Sequence, residues 1–558
     1  MFGVHPFGAV AFGAHVESRV DPSPFAEALE AGLGLFLAEL EAFPLSPESG
    51  FEAGFGTQPF GFAPFAAGDE SLSVGVRTLR YSGGPYTTAA TDTPASTPYD
   101  HRLQRLTVER RLDGGGLLGG LARVFGELEL LAVDGGLDSV ASDYALSGRP
   151  ARFKMGPSTR PCADFGPVAT LRMGLPWLSR DTLRIALEDY ATRLNQPVQG
   201  TVYAGTGGLE GGTDLAGRPK PLTYGYVSSV SAPLVDSARL IYQVHDGQVQ
   251  GVPAVYDRGV SLTQGADYAS SADLLATSPS PGQYRVYKPS GFIRLGSTPA
   301  GEVTFDVEGD ASGGFVATPA DILKRLLRRR LYDTEIDFVS LAQLGADLPY
   351  AAGLWIPPEA IALEEVIRAW AESLGGWAGF NRFGGLGAGI FTAPTGGAAL
   401  YLAERDLDAL DREALPAELS PVVWRVSVGY QRNYTVQTDL AASVTEARRS
   451  FAANEYRWAV AEDTGVLSRY LGAQELVITG PYKDLASAQA EATRLLAFWK
   501  QPRALYRVVT GLTALRLDLG AVVSLDINRF GLSGGRLGRV VGTRLDAEQG
   551  DVELTILI

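Results

Sequence analysis

Four histidines (His5, His15, His101 and His245) and one cysteine, Cys162, are the side chains of this sequence best suited to metal or nucleophile chemistry. No two of the histidines stand at the spacing that would turn both toward one metal from a helix face. His5 and His15 lie in a Gly/Phe-rich stretch and read as exposed loop histidines. A single cysteine excludes an intrachain disulfide and a cysteine-clustered metal site, and Cys162 reads as a small buried apolar residue. A serine hydrolase of the nucleophile-elbow type would need G-x-S-x-G between a strand and a helix, and the match Gly531-Leu-Ser-Gly-Gly535 lies instead between two expected strands. Its 63 carboxylates could supply a glycosidase pair, but nothing in the sequence singles one out.

Two glycine-rich runs invite a phosphate-loop reading. Gly205-Thr-Gly-Gly208 follows the strand-like Thr201-Val-Tyr-Ala204, yet it lacks the lysine and the glycine spacing such loops use. The turn-rich segment after it supplies no helix N-terminus, so a structural turn is expected, and Gly385-Leu-Gly-Ala-Gly389 has the same defect. Arg328-Arg329-Arg330 ends a helical segment, where cations complement the dipole, and reads as a cap or an interface. The expectation is a protein that is not an enzyme, with no catalytic residue, no cofactor and no metal.

The elements that would position such residues are short. Glycine (67) and proline (33) are scattered between alternating runs such as Ser73–Tyr81, Leu106–Arg110 and Val422–Val428. That texture predicts a mainly β protein with many turns. Helices are expected where caps and apolar faces coincide. The first is Ser23-Pro24 followed by Phe25, Leu29, Leu33, Phe36 and Leu40, ending at Pro44. Others start at Thr318-Pro319, run from Leu363 to Leu374, and run from Asp484 to Lys500. The last should set Leu485, Leu495, Leu496 and Trp499 on the terminal sheet, whose strands are expected near 505–510, 521–526, 536–545 and 552–557. The fold class is therefore α+β, β-rich and multidomain, with a C-terminal α+β unit.

A length of 558 residues exceeds one hydrophobic core. The expected division is 1–70, an N-terminal arm with a helix; 71–317, β-rich domains; 318–400, a helix-containing domain; and 401–558, the C-terminal unit. Eleven of the 24 phenylalanines lie between Phe2 and Phe65, and His5–Ser18 aligns without gaps with Gln58–Ser71. Glycine beside aromatic side chains suits an arm laid into grooves of a partner, with Phe2, Phe7, Phe12, Phe60, Phe62 and Phe65 as its anchors. A loop packed on its own domain is the alternative. No apolar run approaches the roughly 20 residues that span a bilayer, and no basic-then-apolar leader opens the chain, so a soluble protein made in a cytoplasm is expected. Only six of the 48 basic residues are lysine, and arginine forks suit interfaces. The formal charge of −15 argues against a nucleic-acid binder and fits a surface that DNA passes without sticking.

Segment order adds a resemblance. Gly126–Leu130, Asp134–Asp138 and Ser147–Arg149 come first, then Gly200–Gly205, Asp214–Pro221 and Tyr224-Gly225. Gly291–Gly296, Pro299–Thr304, the Thr318 helix and Trp377–Gly384 follow, and Leu519–Val523 and Gly538–Gly542 close the series. The series, over about residues 70–558, resembles baseplate hub and tail-tip structural proteins of long-tailed (siphovirus-like) bacteriophages and prophages. Ala521 stands where the family usually has an acidic residue. The resemblance implies antiparallel tail-hub β domains with inserted helices and a virion protein at the tail tip or baseplate. It further implies a ring, most often a trimer, that closes the tail tube, lets DNA pass on ejection and serves host attachment. Expected partners are further copies of the chain, the distal-tail and tape-measure proteins, and fibres or a spike. The alternatives are a cell-wall- or carbohydrate-active tail protein and a hexameric distal-tail ring.

Overall fold

The computed structural model describes residues 24–31, 34–45, 75–112, 120–394, 396–415 and 422–558. Strand (41%) outweighs helix (20%), as the alternating runs require, and the fold is α+β and β-rich. The anchors Phe2, Phe7, Phe12, Phe60, Phe62 and Phe65, the internal repeat, His5, His15 and the Ser23 cap lie outside the described residues.

The first helix is shorter than its apolar spacing predicts. Helix α1 covers Pro24–Ala31, and Leu35–Pro44 is a strand, β1, instead of two further turns. Gly32 and Gly34 are poor helix formers, and the run after them also alternates. Phe36, Ala38, Leu40 and Ala42 are all buried on one face of β1, so the period of two wins over 3.6 once a sheet can accept it.

A closed barrel forms from β1 with β2 (Arg77–Ser82), β3 (Pro98–His101), β4 (Leu103–Leu112), β5 (Leu121–Leu131), β6 (Pro150–Gly156), β7 (Gly166–Leu178) and β8 (Thr182–Glu188). Antiparallel neighbours run β2–β1–β6–β7–β8–β5–β4. The chain turns from β3 straight into β4, and β3 pairs in parallel with β2, which completes the circuit. Inward residues such as Leu106, Leu128, Phe153, Leu171 and Ile185 are buried, each contributing about 1.5–3 kcal/mol. Because β1 pairs on both edges, residues 35–44 belong to this barrel and not to an arm ending at 70.

The barrel also joins the end of the chain. Thr107–Arg111 of β4 pair with Gly542–Asp546 in the strand Arg536–Asp546. That strand continues the sheet through Asp551–Leu557, Leu505–Gly511 and the outer strand Leu407–Glu413. Residues 222–310 build a two-sheet sandwich, closed around Tyr242, Tyr284, Ile293, Phe305 and several valines. The remaining sheet has Val423–Tyr430 between Arg457–Glu462 and Gln474–Thr479.

Three later helices fall where expected: α2 (Pro319–Leu327), α3 (Leu363–Ser373) and α4 (Leu485–Trp499). The Thr318 and Asp484 side chains accept from Asp321 N–H and Ser487 N–H, which satisfies orphan donors at the two helix starts. Helix α4, however, covers the 423–479 sheet and not the terminal one. It follows the strand 474–479 and folds back on the sheet it has just left, which short connections favour. Leu495, Leu496 and Trp499 are buried there, whereas Leu485 is half exposed at the helix start.

Candidate functional site: a cleft where the sheets splay apart

Two chain crossings clamp the sandwich to the 423–479 sheet. Gly353 N–H donates to Pro481 O at 2.9 Å and Lys483 N–H to Ala351 O at 2.8 Å. Farther along, Tyr434 N–H donates to Ser228 O at 3.2 Å. Between these crossings the sheets diverge over α3 and leave a cleft of about 760 Å³, within the size range of ligand sites. Gly225 makes the first crossing possible. Its φ is +61°, and a Cβ there would stand 2.0 Å from Ala352 O.

Aromatic rings and cations share the cleft walls. Lys483 Nζ lies 3.4 Å from the centroid of Tyr226, and the Arg432 guanidinium lies 4.5 Å from that of Tyr434. The Tyr434 hydroxyl accepts Trp355 N–H at 3.2 Å, and the two rings meet edge to face at 5.7 Å. Asp306, Glu308, Glu365 and Glu372 add carboxylates, and no histidine or cysteine lines the cleft. Burial pushes the Asp306 carboxyl up, against Ser229 N–H, which donates to it at 2.8 Å, and the nearby Arg448. This lining can bind a polar ligand, but it assembles no base beside a hydroxyl or thiol nucleophile.

The residues singled out in the sequence do not gather here. His101 is exposed on β3. His245 is buried, accepts Thr223 N–H at Nδ1 (2.9 Å) and has Nε2 3.8 Å from Asp310. Cys162 is only half-buried, and burial still pushes its thiol up. The 205–208 glycines form a self-contained turn, with Gly207 N–H donating to Gly211 O at 2.7 Å. The Gly385–Gly389 run enters the strand Leu386–Ile390 of a hairpin with Gly376–Phe380. The three arginines fasten neighbouring segments: Arg328 pairs with Asp333 at 2.7 Å, Arg329 donates to the Tyr224 hydroxyl at 2.6 Å, and Arg330 to Gln199 O at 2.8 Å. Among the described residues no group of three or more His, Cys, Asp or Glu could hold a metal.

Asp310 ties the sandwich to α2 through Arg325 at 3.3 Å. Burial alone would raise its carboxyl, but the neighbouring His245 and Ser312, whose N–H donates to it at 2.9 Å, hold it at about 2. An unfolded aspartate titrates near about 3.9. The stabilisation is therefore complete above that pH and is lost as pH falls through about 2. The stability difference between wild type and Asp310→Asn should shrink as pH falls from about 5 to about 2 in chemical unfolding. A difference constant over that range would contradict the assignment.

A buried charge pair of long sequence reach lies elsewhere. Arg110 of β4, nearly buried, donates to Phe380 O at 2.7 Å and pairs with Asp518. Nothing local in the sequence marks residues 408 positions apart as partners.

No family model matches the chain, and no curated protein matches it. Solved structures do. It is similar to the tail protein from Neisseria meningitidis MC58 (11% identity, TM-score 0.38, covering 83% of this chain and 94% of that one). It is similar to the 43 kDa tail protein of prophage MuSo2 from Shewanella oneidensis (11%, TM-score 0.35, 83% and 94%). It is also similar to a chain of the native gene transfer agent virion (16%, TM-score 0.37, 61% and 84%).

Proposed function

We propose that the chain is a structural subunit of a phage tail tip or baseplate, acting in the virion as a ring and not as an enzyme. The ring, read as a trimeric hub, closes the tail tube of a siphovirus-like particle. It contacts the distal-tail and tape-measure proteins, anchors fibres or a spike for host attachment, and lets DNA pass at ejection. The observation that carries this reading is where the hub-like sequence segments fall. Gly126–Leu130 lies in β5, Trp377–Gly384 holds the hairpin strand that pairs with β5 and the turn that meets β7, and Gly542 ends the last segment where the terminal strand meets β4. The hairpin braces the barrel wall and the last segment joins the barrel to the end of the chain, which suits a rigid ring body.

The charge of −15 per chain supports an acidic lumen. DNA carries one charge per roughly 1.7 Å, and a like-charged wall denies it phosphate contacts. Screening limits that effect to about 8 Å, so only residues at the wall contribute. The Gly/Phe-rich arm is read as the segment that seats the ring on its neighbours. Deleting residues 1–70 cannot test it, because that removes β1 from the barrel and should leave insoluble protein. Deleting residues 1–23 should keep the purified chain folded but cut its incorporation into tails at least tenfold, scored by immunoblot of particles. Normal incorporation would reject the arm's role.

One observation favours a carbohydrate-active second reading: four carboxylates line the cleft, and burial pushes Asp306 up. Release of soluble sugar from host envelope material, abolished by Asp306→Asn, would support it over a purely structural role.

A further inference from the structure

We propose that copies of this chain join head to tail, the acidic outer edge at Asp408 and Asp551 of one copy meeting Arg152, Arg172 and Arg193 on the barrel of the next. This rests on the ring reading and names its contact.

The two patches lie toward opposite ends of one continuous sheet. Hydrogen-bonded neighbours run from the strand 407–413 through 505–511, 551–557, 536–546, β4, β5 and β8 to β7. Seven strand-to-strand steps of about 4.8 Å separate the strand 407–413 from β7 along this path, which curls round the barrel. Among the described residues no ion pair links the two patches within one chain.

At the first end, the strand 407–413 pairs on one side only among the described residues, and Asp408, Asp411 and Glu413 are exposed. Arg507 holds Asp411 and Glu413 and also reaches Glu553. Asp408 and Asp551 form no ion pair among the described residues. Burial and then the neighbouring Asp546 and Asp408 push the Asp551 carboxyl up, the mark of crowded like charges.

At the other end the crowding has the opposite sign. Arg172 of β7 lies 4.2 Å over the Tyr190 ring, and its buried Nε has no hydrogen-bond partner. Burial and then the adjacent Arg193 pull the Arg172 guanidinium down. Arg193 is paired with Glu335, which also attracts Arg172, but among the described residues Arg172 has no carboxylate within ion-pair distance. Arg152 stands beside it on β6, opposite Thr170, half exposed and only 4.0 Å from Glu41. A carboxylate arriving here would relieve one crowded patch with the other. The occupant that fits is a second copy, since each chain carries both complementary patches. Contacts between different patches are heterologous, and they close into a ring when the rotation per copy divides a full turn.

The test is the mass of the purified full-length chain by sedimentation, against concentration and salt. Wild type should associate, and 1 M salt should weaken that association at least tenfold. Asp408→Lys with Asp551→Lys, or Arg172→Glu alone, should weaken it at least tenfold while circular dichroism stays native. Combining all three changes in one chain should restore it to within about threefold, which a merely structural role for these residues would not do. Wild-type oligomers indifferent to the reversals, or no rescue by the combined chain, would overturn this contact and leave the ring reading standing. A wild-type chain that stays monomeric at every concentration would overturn both.

Discussion

Replacing Arg494 with alanine should lower stability by about 3–5 kcal/mol, measured by chemical unfolding at neutral pH. Arg494 points from α4 into the interior and reaches both oxygens of Glu491, with Nε distances of 3.1 and 3.0 Å. It also donates to Phe391 O and to Leu374 O at the end of α3, so one guanidinium ties a helix, a strand end and a helix terminus. Burial would lower the Arg494 guanidinium, but Glu491 outweighs it and holds it up. The Glu491 side chain is only 1% exposed, so the truncation strands a buried charge and two carbonyls. Arg494→Met with Glu491→Leu should recover most of the loss, because removing both charges leaves none uncompensated. A near-neutral Arg494→Ala would show that water reaches Glu491.

Asp518→Ala should cost a similar amount, about 3–5 kcal/mol, and its effect should be localised. Arg110, whose side chain is 4% exposed, loses its only carboxylate within ion-pair distance among the described residues. Arg382, pulled down chiefly by burial, loses the same stabilising charge and is left facing Arg110. Two desolvated guanidiniums then crowd the seam where 107–111 meet 542–546. Hydrogen exchange of those strands should accelerate well before that of the sandwich at 222–310. Uniform acceleration across the chain would mean that Asp518 supports the whole fold and not this seam.

Elements with local signals were legible in the sequence. Thr318, Asp484 and the Leu363–Leu374 face fix three helices through caps and a 3.6 period, and the four terminal strands lie within about a residue of expectation. Residues 35–44 were misread because Phe36 and Leu40 satisfy both periods, and only the edges of β2 and β6 decide between them. The cleft was not legible. Tyr226 and Trp355 come from one sheet of the sandwich, Tyr434 and Lys483 from loops that follow strands of the 423–479 sheet, and none lies in a motif. The buried ions divide in the same way. Glu491 and Arg494 share a helix at a readable i,i+3 spacing, whereas Arg110 and Asp518 meet only through long-range strand pairing.

The proposed role is that of a ring-forming structural subunit at the tip of a phage tail. Cryo-electron microscopy of purified particles carrying an epitope-tagged copy tests it most directly. Tagged density is expected on the tail axis, at the end of the tube, with threefold symmetry and the barrel of each copy against the terminal sheet of the next. Particles without the chain, or with it in single copies away from the axis, would contradict it.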